Sequence, residues 1–251
     1  MTTSNKAPFY DPGLIPYLTQ FTSRWRQILQ EFNELGNGAQ IHPWPELNLY
    51  ETQEPGTDQV NRGEGWDVFG LYAFGKKKVA NCNLCPITYE LIRASPVPIT
   101  TATFSILRPG VHVLPHSGYD QYSNKILRAH VSLVAPPVPD DIPDRAVWVN
   151  DVPQNEWFNR SISPWDGQTR SGCMFRAGDY QTSWRPGYVF VFDDVYTHEA
   201  WNYTNQERVS LILDFPRPGH LTGDSGGQDV GHGKGLEYLD SLTRQHGWTD
   251  I

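Results

Sequence analysis

Three segments of this chain alternate polar and apolar residues so regularly that each predicts a β-strand with two chemically different faces. They are Thr101–Leu107, Ile126–Val134 and Arg208–Phe215. Successive side chains of a strand point to opposite sides of its sheet. One face of each segment is therefore apolar, and the other carries Thr101, Thr103, Ser105, Arg128, His130, Ser132, Arg208, Ser210 and Asp214. Such a pattern favours antiparallel sheets over a helical bundle.

The alternation leaves two arrangements open. In the first, the polar faces meet water, as is common for antiparallel sheets. In the second, the apolar faces pack on helices or on another sheet, and the polar faces line a cavity. Arg128, His130 and Arg208 would then suit a ligand with two carboxylates, because arginine binds carboxylates through paired hydrogen bonds.

Composition excludes several classes of protein. The chain has 251 residues, with 20 Pro, 22 Gly and 9 Trp, which is typical of many short strands and turns. A net charge of −8 argues against nucleic-acid and anionic-membrane partners, and no apolar run approaches the ~20 residues that span a bilayer. The polar segment Met1–Tyr10 predicts no signal peptide. We therefore expect a soluble cytoplasmic protein.

We predict a single domain over residues 1–251, with its core at about 62–218. Residues 1–40 carry apolar residues at steps of three and four, which predicts one long N-terminal helix. Residues 219–251 begin with a stretch rich in Gly and His, which predicts a mobile tail or lid. A terminal helix is predicted at Leu236–His246.

Shorter elements and the cysteines complete this outline. Trp66–Phe74 and Tyr188–Phe192 are predicted strands, and Pro86–Ala94 a short helix. The three cysteines Cys82, Cys85 and Cys173 are too few for a secreted disulfide framework or a four-ligand zinc site, so free thiols are expected.

Two histidines flank the strand-rich region. His116 follows RPGVHVLP, and His198 follows the apolar segment and the pair Asp193-Asp194, with Arg208 ten residues later. This order is the layout of an iron(II) and 2-oxoglutarate site, which normally has two histidines and one carboxylate. The carboxylate position, two residues after the first histidine, is Gly118 here. Water or a halide would then complete the metal site, since Asp120 is poorly placed to act as a ligand.

Taken together, these motifs resemble the catalytic domain of the aspartyl/asparaginyl β-hydroxylases over about residues 62–218. The quoted set is Ser105-Ile106, Arg108–Gly118, Leu127–His130, Phe192–Asp194 with His198-Glu199, and Arg208. The resemblance includes Gly118. It implies a double-stranded β-helix, that is, a mainly β jelly roll or cupin-like fold with flanking α-helices. It also implies iron(II), 2-oxoglutarate and O₂.

Residue roles follow from this resemblance by motif match. His116 and His198 would be the iron ligands. Arg208, with Ser105, would hold the distal carboxylate of 2-oxoglutarate. The end that chelates the metal would lie near Arg128 and His130, and Trp66 would also contact the co-substrate. Asp193 or Asp194 would orient a ligand histidine by accepting a hydrogen bond from the ring nitrogen that does not bind the metal.

Substrate identity does not follow from the motifs. We expect an amino acid, a peptide or a related small molecule, oxidised by hydroxylation, desaturation or ring closure in specialised metabolism. The segment 135–173, with Trp148, Trp157 and Trp165, and the Gly/His-rich tail would shape the substrate pocket. Arg176 or Arg185 would be available to a substrate carboxylate.

Two competing functions remain open from the sequence, and a zinc hydrolase is disfavoured. A halogenase would place chloride in the position that Gly118 leaves open. A non-catalytic β-sandwich binding module would show exposed tryptophans on one face. A zinc hydrolase would need a third protein ligand and would leave two inward arginines unused.

Overall fold

The computed structural model describes residues 8–36, 39–53, 59–118, 122–138, 172–178, 180–221 and 248–250, and the backbone of three two-residue strands between 148 and 160. The predicted helix at Leu236–His246, most of the 135–173 segment and Asp120 lie outside the described residues. In chain order the strands are β1 (Phe9–Tyr10), β2 (His42–Pro43), β3 (Tyr50–Gln53), β4 (Val60–Arg62), β5 (Trp66–Ala73), β6 (Lys76–Lys77), β7 (Thr101–Leu107), β8 (Val111–His116), β9 (Ile126–Val134), β10 (Trp148–Val149), β11 (Val152–Pro153), β12 (Asn159–Arg160), β13 (Cys173–Ala177), β14 (Tyr180–Ser183), β15 (Val189–Phe192), β16 (His198–Asn202), β17 (Arg208–Pro216) and β18 (Thr249–Asp250).

Four α-helices are described, all in the first hundred residues. They are α1 (Thr19–Ser23), α2 (Trp25–Asn33), α3 (Val79–Leu84) and α4 (Pro86–Arg93). Among the helices of the described ranges, none combines the length and the apolar character that crossing a bilayer requires.

The prediction of one long N-terminal helix is wrong. Two 3₁₀ turns, Pro12–Leu14 and Pro16–Leu18, precede α1, and Arg24 interrupts the helical path between α1 and α2 with φ −109° and ψ 16°. Pro16 lacks the N–H that a continuous helix would need at that point. The apolar spacing still has its expected effect, because Leu18, Phe21 and Ile28 are all buried.

The strands form two facing antiparallel sheets. The larger has the order β1-β15-β9-β17-β7-β5-β6-β18, with β2 paired to β5, and the smaller has the order β12-β14-β13-β16-β8-β3-β4. A small hairpin joins β10 to β11. Aromatic residues from both sheets, among them Tyr50, Phe175 and Phe192, share one buried cluster between them. This arrangement confirms the predicted mainly β jelly-roll fold.

The three alternating segments are neighbours in the larger sheet. β17 lies between β7 and β9, and Ser210 is the register partner of both Ser105 and Ser132. All three of these serines are buried, as are His130 and Arg208. The polar face therefore does not meet water. It faces the space between the two sheets.

The opposite face of the same three strands carries the helices. Phe104, Leu127 and Leu211 belong to one buried cluster with Phe21 and Ile28 of the N-terminal helices. Large residues on this face supply the packing that keeps β7, β9 and β17 in register. The helices thus fix the strands whose other face carries the polar side chains.

A carboxylate joins two of these helices. The Glu31 carboxylate in α2 accepts hydrogen bonds from the backbone N–H groups of Ile87 and Thr88 at 2.5 and 2.9 Å, and from the Thr88 hydroxyl at 2.6 Å. It thereby satisfies N–H groups in the first turn of α4 that have no partner within that helix. The predicted helix at Pro86–Ala94 is confirmed and is fixed to α2 by this contact.

Candidate active site

His116 and His198 lie opposite each other on neighbouring strands of the smaller sheet. They are register partners in the β8–β16 pair, and their ring centroids are 4.3 Å apart. Nδ1 of His116 is 2.7 Å from the carbonyl oxygen of Leu114, and Nδ1 of His198 is 2.8 Å from that of Tyr196. Because a carbonyl oxygen can only accept, each Nδ1 carries the proton and each Nε2 keeps its lone pair. Both histidines are thus in the tautomer that binds a metal through Nε2.

Burial favours the neutral form of His198. His198 is 3% exposed, and burial, followed by the effect of His116, lowers its pKa well below the usual range. Neutral imidazole is the form that acts as a metal ligand. Within the described ranges, no group of three His, Cys, Asp or Glu side chains has a metal-binding arrangement.

Gly118 makes room for a carboxylate from another part of the chain. A Cβ at this position would collide with the carboxylate of Asp194, and the Gly118 N–H donates to the Asp194 carbonyl oxygen at 2.7 Å. Asp194 precedes His198 by four residues, and its Oδ1 is 3.7 Å from Nε2 of His198. The carboxylate beside the histidine pair therefore comes from Asp194, and the space next to Gly118 is already filled.

Asp193 and Asp194 have different roles. Asp193 forms a paired ion contact with Arg217 at 2.7 and 2.8 Å and lies away from the histidines. Burial raises the pKa of Asp194 to about 6, although Arg128 acts in the opposite direction. Neither carboxylate holds a histidine Nδ1, because backbone carbonyls do so.

Arg208 is buried among neutral partners. It is 2% exposed, and its Nη1 donates to the Ser105 carbonyl oxygen at 2.9 Å, to Ser105 Oγ at 3.1 Å and to Ser210 Oγ at 2.8 Å. Its guanidinium carbon lies 4.4 Å from the centre of the Trp184 ring. No carboxylate of the described chain pairs with it, and burial lowers its pKa to about 10. A buried cation without a counterion is costly, so this position favours an anionic ligand.

Ser105 holds both Arg208 and Trp66. Trp66 Nε1 donates to Ser105 Oγ at 3.0 Å, and Arg208 Nη1 donates to the same atom. Both acceptor sites of this hydroxyl are then occupied, so its own proton remains available to donate. Trp66 stacks on Trp44 with ring centroids 4.9 Å apart. The predicted Ser105–Arg208 pairing is thus found in the structure, and Trp66 joins it.

His130 faces the same space, and Trp184 fixes its tautomer. Trp184 Nε1 lies 3.3 Å from Nδ1 of His130, which therefore accepts and leaves the proton on Nε2. Burial and the nearby cations Arg208 and Arg128 lower the pKa of His130 well below its usual range. Trp184 was not predicted from the sequence, because its local signal was limited to its position before the Arg185-Pro186-Gly187 turn.

Arg128 differs from Arg208 because its charge is already paired. Nε and Nη2 contact Asp214 at 2.7 and 2.9 Å, and Nη1 lies 2.8 Å from Asp194 Oδ1. Asp194 and Asp214 raise its pKa against the effect of burial. The strand parity had placed Arg128 and Asp214 on one face, and the structure shows that they neutralise each other there.

Two adjoining cavities bring these residues together. The first, which we call the inner cavity, is lined by His116, His198, His130, Arg208 and Ser105, among others. The second, the outer cavity, contains Gly118, Asp194, Trp44, Thr101 and Thr103. The residues that line both cavities are Trp66, His116, Arg128 and Ile212. Each has a volume of about 40 Å³, which is room for a few water molecules.

Other predicted residues lie elsewhere. Arg176 contacts Glu199, which also contacts His112, at 2.6 and 2.7 Å, so Arg176 is held by a buried carboxylate. Cys82, Cys85 and Cys173 are free and buried, as predicted. Every tryptophan whose side chain is described is buried or half-buried, which does not fit a binding module that presents exposed tryptophans.

Comparison with known proteins identifies sequence relatives. The family described as Aspartyl/Asparaginyl beta-hydroxylase matches residues 22–218. An ornithine lipid ester-linked acyl 2-hydroxylase of Rhizobium tropici is 28% identical over 211 residues, which cover 84% of this chain and 61% of that protein. The human aspartyl/asparaginyl beta-hydroxylase is 26% identical over 170 residues, covering 65% of this chain and 17% of that protein. The chain thus spans less than two thirds of the length of either relative.

Solved structures were also compared. A Pseudomonas putida prolyl-4-hydroxylase superposes with a TM-score of 0.42 at 15% identity, covering 79% of this chain and 88% of that one. The epimerase SnoN of nogalamycin biosynthesis gives a TM-score of 0.42 at 13% identity, covering 84% and 88%.

Proposed function

The chain belongs to the aspartyl/asparaginyl β-hydroxylase family of iron(II)- and 2-oxoglutarate-dependent dioxygenases, and on that premise we propose that it oxidises an unactivated C–H bond of an amino acid, a peptide or a related small molecule. The observation that carries this proposal is the inner cavity, in which two Nε2 lone pairs and one unpaired guanidinium face the same space. Hydroxylation is the outcome that the names of the sequence relatives support.

The donor set suits iron(II). Two neutral imidazoles with fixed Nδ1–H groups would hold the metal through Nε2, and the remaining positions would be open to water, co-substrate and O₂. When bound, iron(II) would couple the oxidative decarboxylation of 2-oxoglutarate to succinate and CO₂ with the oxidation of a substrate C–H bond. The chain itself would bind and orient the reactants and exclude water from them.

Arg208 would hold the distal carboxylate of 2-oxoglutarate. Ser105 and Ser210 orient the guanidinium through Nη1, and the Ser105 hydroxyl has a proton left to donate to the same carboxylate. Trp184 covers one face of the guanidinium and excludes water from it. Arg128 would act through its fixed contacts with Asp214 and Asp194, while His130 would present Nε2–H near the chelating end of the co-substrate.

The contacts at Gly118 support oxygenation over halogenation. Chloride would have to bind beside the buried Asp194 carboxylate, which fills the space that the glycine leaves. A chloride ion and the neighbouring Asp194 carboxylate would repel each other strongly in a site from which water is excluded. We therefore place oxygenation ahead of halogenation.

We also propose a cytoplasmic role in specialised metabolism, without nucleic-acid or membrane partners. The net charge of −8 supports the proposed absence of nucleic-acid and membrane partners, because both nucleic acid and anionic membranes repel an acidic surface.

Anaerobic titration tests this function. Iron(II) and 2-oxoglutarate added without air are expected to give a weak visible charge-transfer band, and admission of air with a panel of amino acids and peptides is expected to release succinate. The double variant His116→Ala/His198→Ala should lose the band. The control His112→Gln keeps a hydrogen-bonding group towards Glu199 and should retain it. Absence of the band in the folded wild-type protein would overturn the proposal.

A further inference from the structure

A third cavity, larger than the other two, adjoins the outer cavity. It has a volume of about 360 Å³ and shares Trp44, Thr101 and Thr103 with the outer cavity, which contains His116. Its floor is the inner face of the larger sheet, where Val68 and Gly70 are the register partners of Ser105 and Thr103. The two cavities therefore share part of their lining, and we call the larger one the apolar cavity.

Aromatic side chains form much of its wall. Trp44, Tyr72, Phe74 and Trp248 line it, and a Cβ added to Gly70 would lie 2.5 Å from Cη2 of Trp248. Gly70 thus leaves space for the Trp248 ring to lie against the strand. β18 holds that tryptophan in place by pairing with β6, and Asp250 contacts the buried Lys76 at 2.7 Å.

Several polar side chains that line the apolar cavity already have hydrogen-bond partners. Lys78 Nζ donates to Gln40 Oε1 at 2.6 Å, and Asn81 Nδ2 donates to the carbonyl oxygen of Gly70 at 2.8 Å. The Thr101 hydroxyl is 3.1 Å from the Tyr122 hydroxyl, and the two can share a proton. Among the described lining residues, a ligand therefore meets a mainly apolar surface.

Phe74 gives an independent reason to regard this wall as functional. It has a positive φ of 51° and precedes Gly75, with φ of 80°, in the two-residue turn between β5 and β6. Asn or Gly is preferred at such a position, and a bulky residue there carries backbone strain. Strain of this kind persists where the side chain is needed, and the Phe74 ring lines the cavity.

We propose that the apolar cavity binds an aliphatic group of the substrate, about ten carbons long, so that a C–H bond near its polar end reaches the histidine pair. The size follows from the volume, since 360 Å³ holds about twelve groups that each take the roughly 30 Å³ of a liquid water. The occupant is assigned as substrate because the apolar cavity shares three lining residues with the outer cavity, which contains His116. This inference rests on the proposed function and names the substrate class.

The test uses straight-chain N-acylglycines with acyl groups of two to fourteen carbons. Calorimetry on the protein saturated with 2-oxoglutarate is expected to show affinity rising by roughly fourfold per added methylene until the cavity is full. Val68→Phe reduces the space and should shorten the preferred chain by about two carbons. Trp248→Ala enlarges the space and should lengthen it. Val60→Phe is the matched control, because it makes the same substitution as Val68→Phe at a site on β4 that is 46% exposed. It should leave the preferred chain length unchanged.

A second measurement separates this inference from the function on which it rests. Succinate release with iron(II) and air should follow the same order of chain lengths. If the charge-transfer band forms but affinity does not depend on chain length, or if neither cavity variant shifts the preference, the apolar cavity is not a substrate site and the proposed function stands. If the band does not form in folded protein, the proposed function fails, whatever binds in the apolar cavity.

Discussion

Two arginines on neighbouring strands of one sheet differ in whether a carboxylate of the chain pairs with them. Arg128 has two carboxylate partners, Asp214 and Asp194, at 2.7 to 2.9 Å. Arg208 has only hydroxyl, carbonyl and aromatic partners among the described residues. Arg208 is 2% exposed, and the Arg128 side chain is 15% exposed.

This difference indicates that the charge of Arg128 stabilises the fold, whereas the charge of Arg208 is available to bind a ligand. A buried cation paired within the protein is costly to disrupt, because removing it leaves carboxylates unpaired. A buried cation with neutral partners costs stability until an anion binds, so its natural partner comes from outside. The four predictions that follow test this contrast, from the largest expected effect to the smallest.

Replacement of Arg128 should chiefly harm the fold. Arg128→Met leaves Asp194 and Asp214 buried without their cation, and we expect a loss of about 4 kcal/mol in the free energy of unfolding. Urea denaturation measures it. Arg108→Met is the matched control, because Arg108 is 56% exposed and its ion pair with Asp67 should contribute less than about 1 kcal/mol. Equal losses in the two variants would contradict the structural role of Arg128.

Replacement of Arg208 should instead harm co-substrate binding. Arg208→Met removes a buried charge that has no carboxylate partner, so the free energy of unfolding should stay constant or rise. The affinity for 2-oxoglutarate should fall by about a hundredfold, which calorimetry measures under anaerobic conditions with iron(II). A large loss of stability with unchanged 2-oxoglutarate affinity would make Arg208 a second structural arginine and remove the contrast.

The pH dependence of stability tests the environment of Asp194. Its pKa is raised from an ordinary value of 3.8 to about 6, so the folded state holds the proton more tightly than the unfolded state does. Stability from this group should therefore fall as pH rises from about 4 to 6. Metal-free wild-type protein should lose up to roughly 3 kcal/mol relative to Asp194→Asn over that range. Denaturation at pH 4, 5, 6 and 7 gives this difference, and a constant difference would show that the pKa is not raised.

The smallest effect is expected at Trp184. Trp184→Phe removes the N–H donor to His130 but keeps a ring against Arg208, so the affinity for 2-oxoglutarate should fall by about fivefold. Trp184→Leu also removes the aromatic face and should weaken binding further. Calorimetry on both variants separates the two contributions. If the phenylalanine and leucine variants bind equally, the ring makes no contribution to holding the arginine charge.

The alternation of polar and apolar residues predicted much of the fold. Thr101–Leu107 and Ile126–Val134 are strands with the predicted bounds, and Arg208 begins the third as predicted. The pattern is strong because the helices bury one face of these strands. β8 and β16, which carry the two histidines, were not predicted as strands. Pro115 lies within β8, and proline argues against a strand in any analysis of local pattern.

The candidate site was only partly visible before the structure. Motif resemblance pointed to His116, His198 and Arg208, and the structure brings all three into one cavity. Trp184 was missed because a tryptophan before a turn carries no local sign of a role. The filling of the Gly118 position by Asp194 was also missed, because the two residues are 76 positions apart and meet only through the folding of the smaller sheet.

By itself, the sequence determined which residues share a face and which family the chain belongs to, because side-chain period and motif order are local properties. Only the tertiary structure decided that the polar face of β7, β9 and β17 is buried rather than exposed to solvent. It also decided that Arg128 is neutralised while Arg208 is not. Both outcomes depend on which strands become neighbours and which sheet covers them, and no local pattern contains that information.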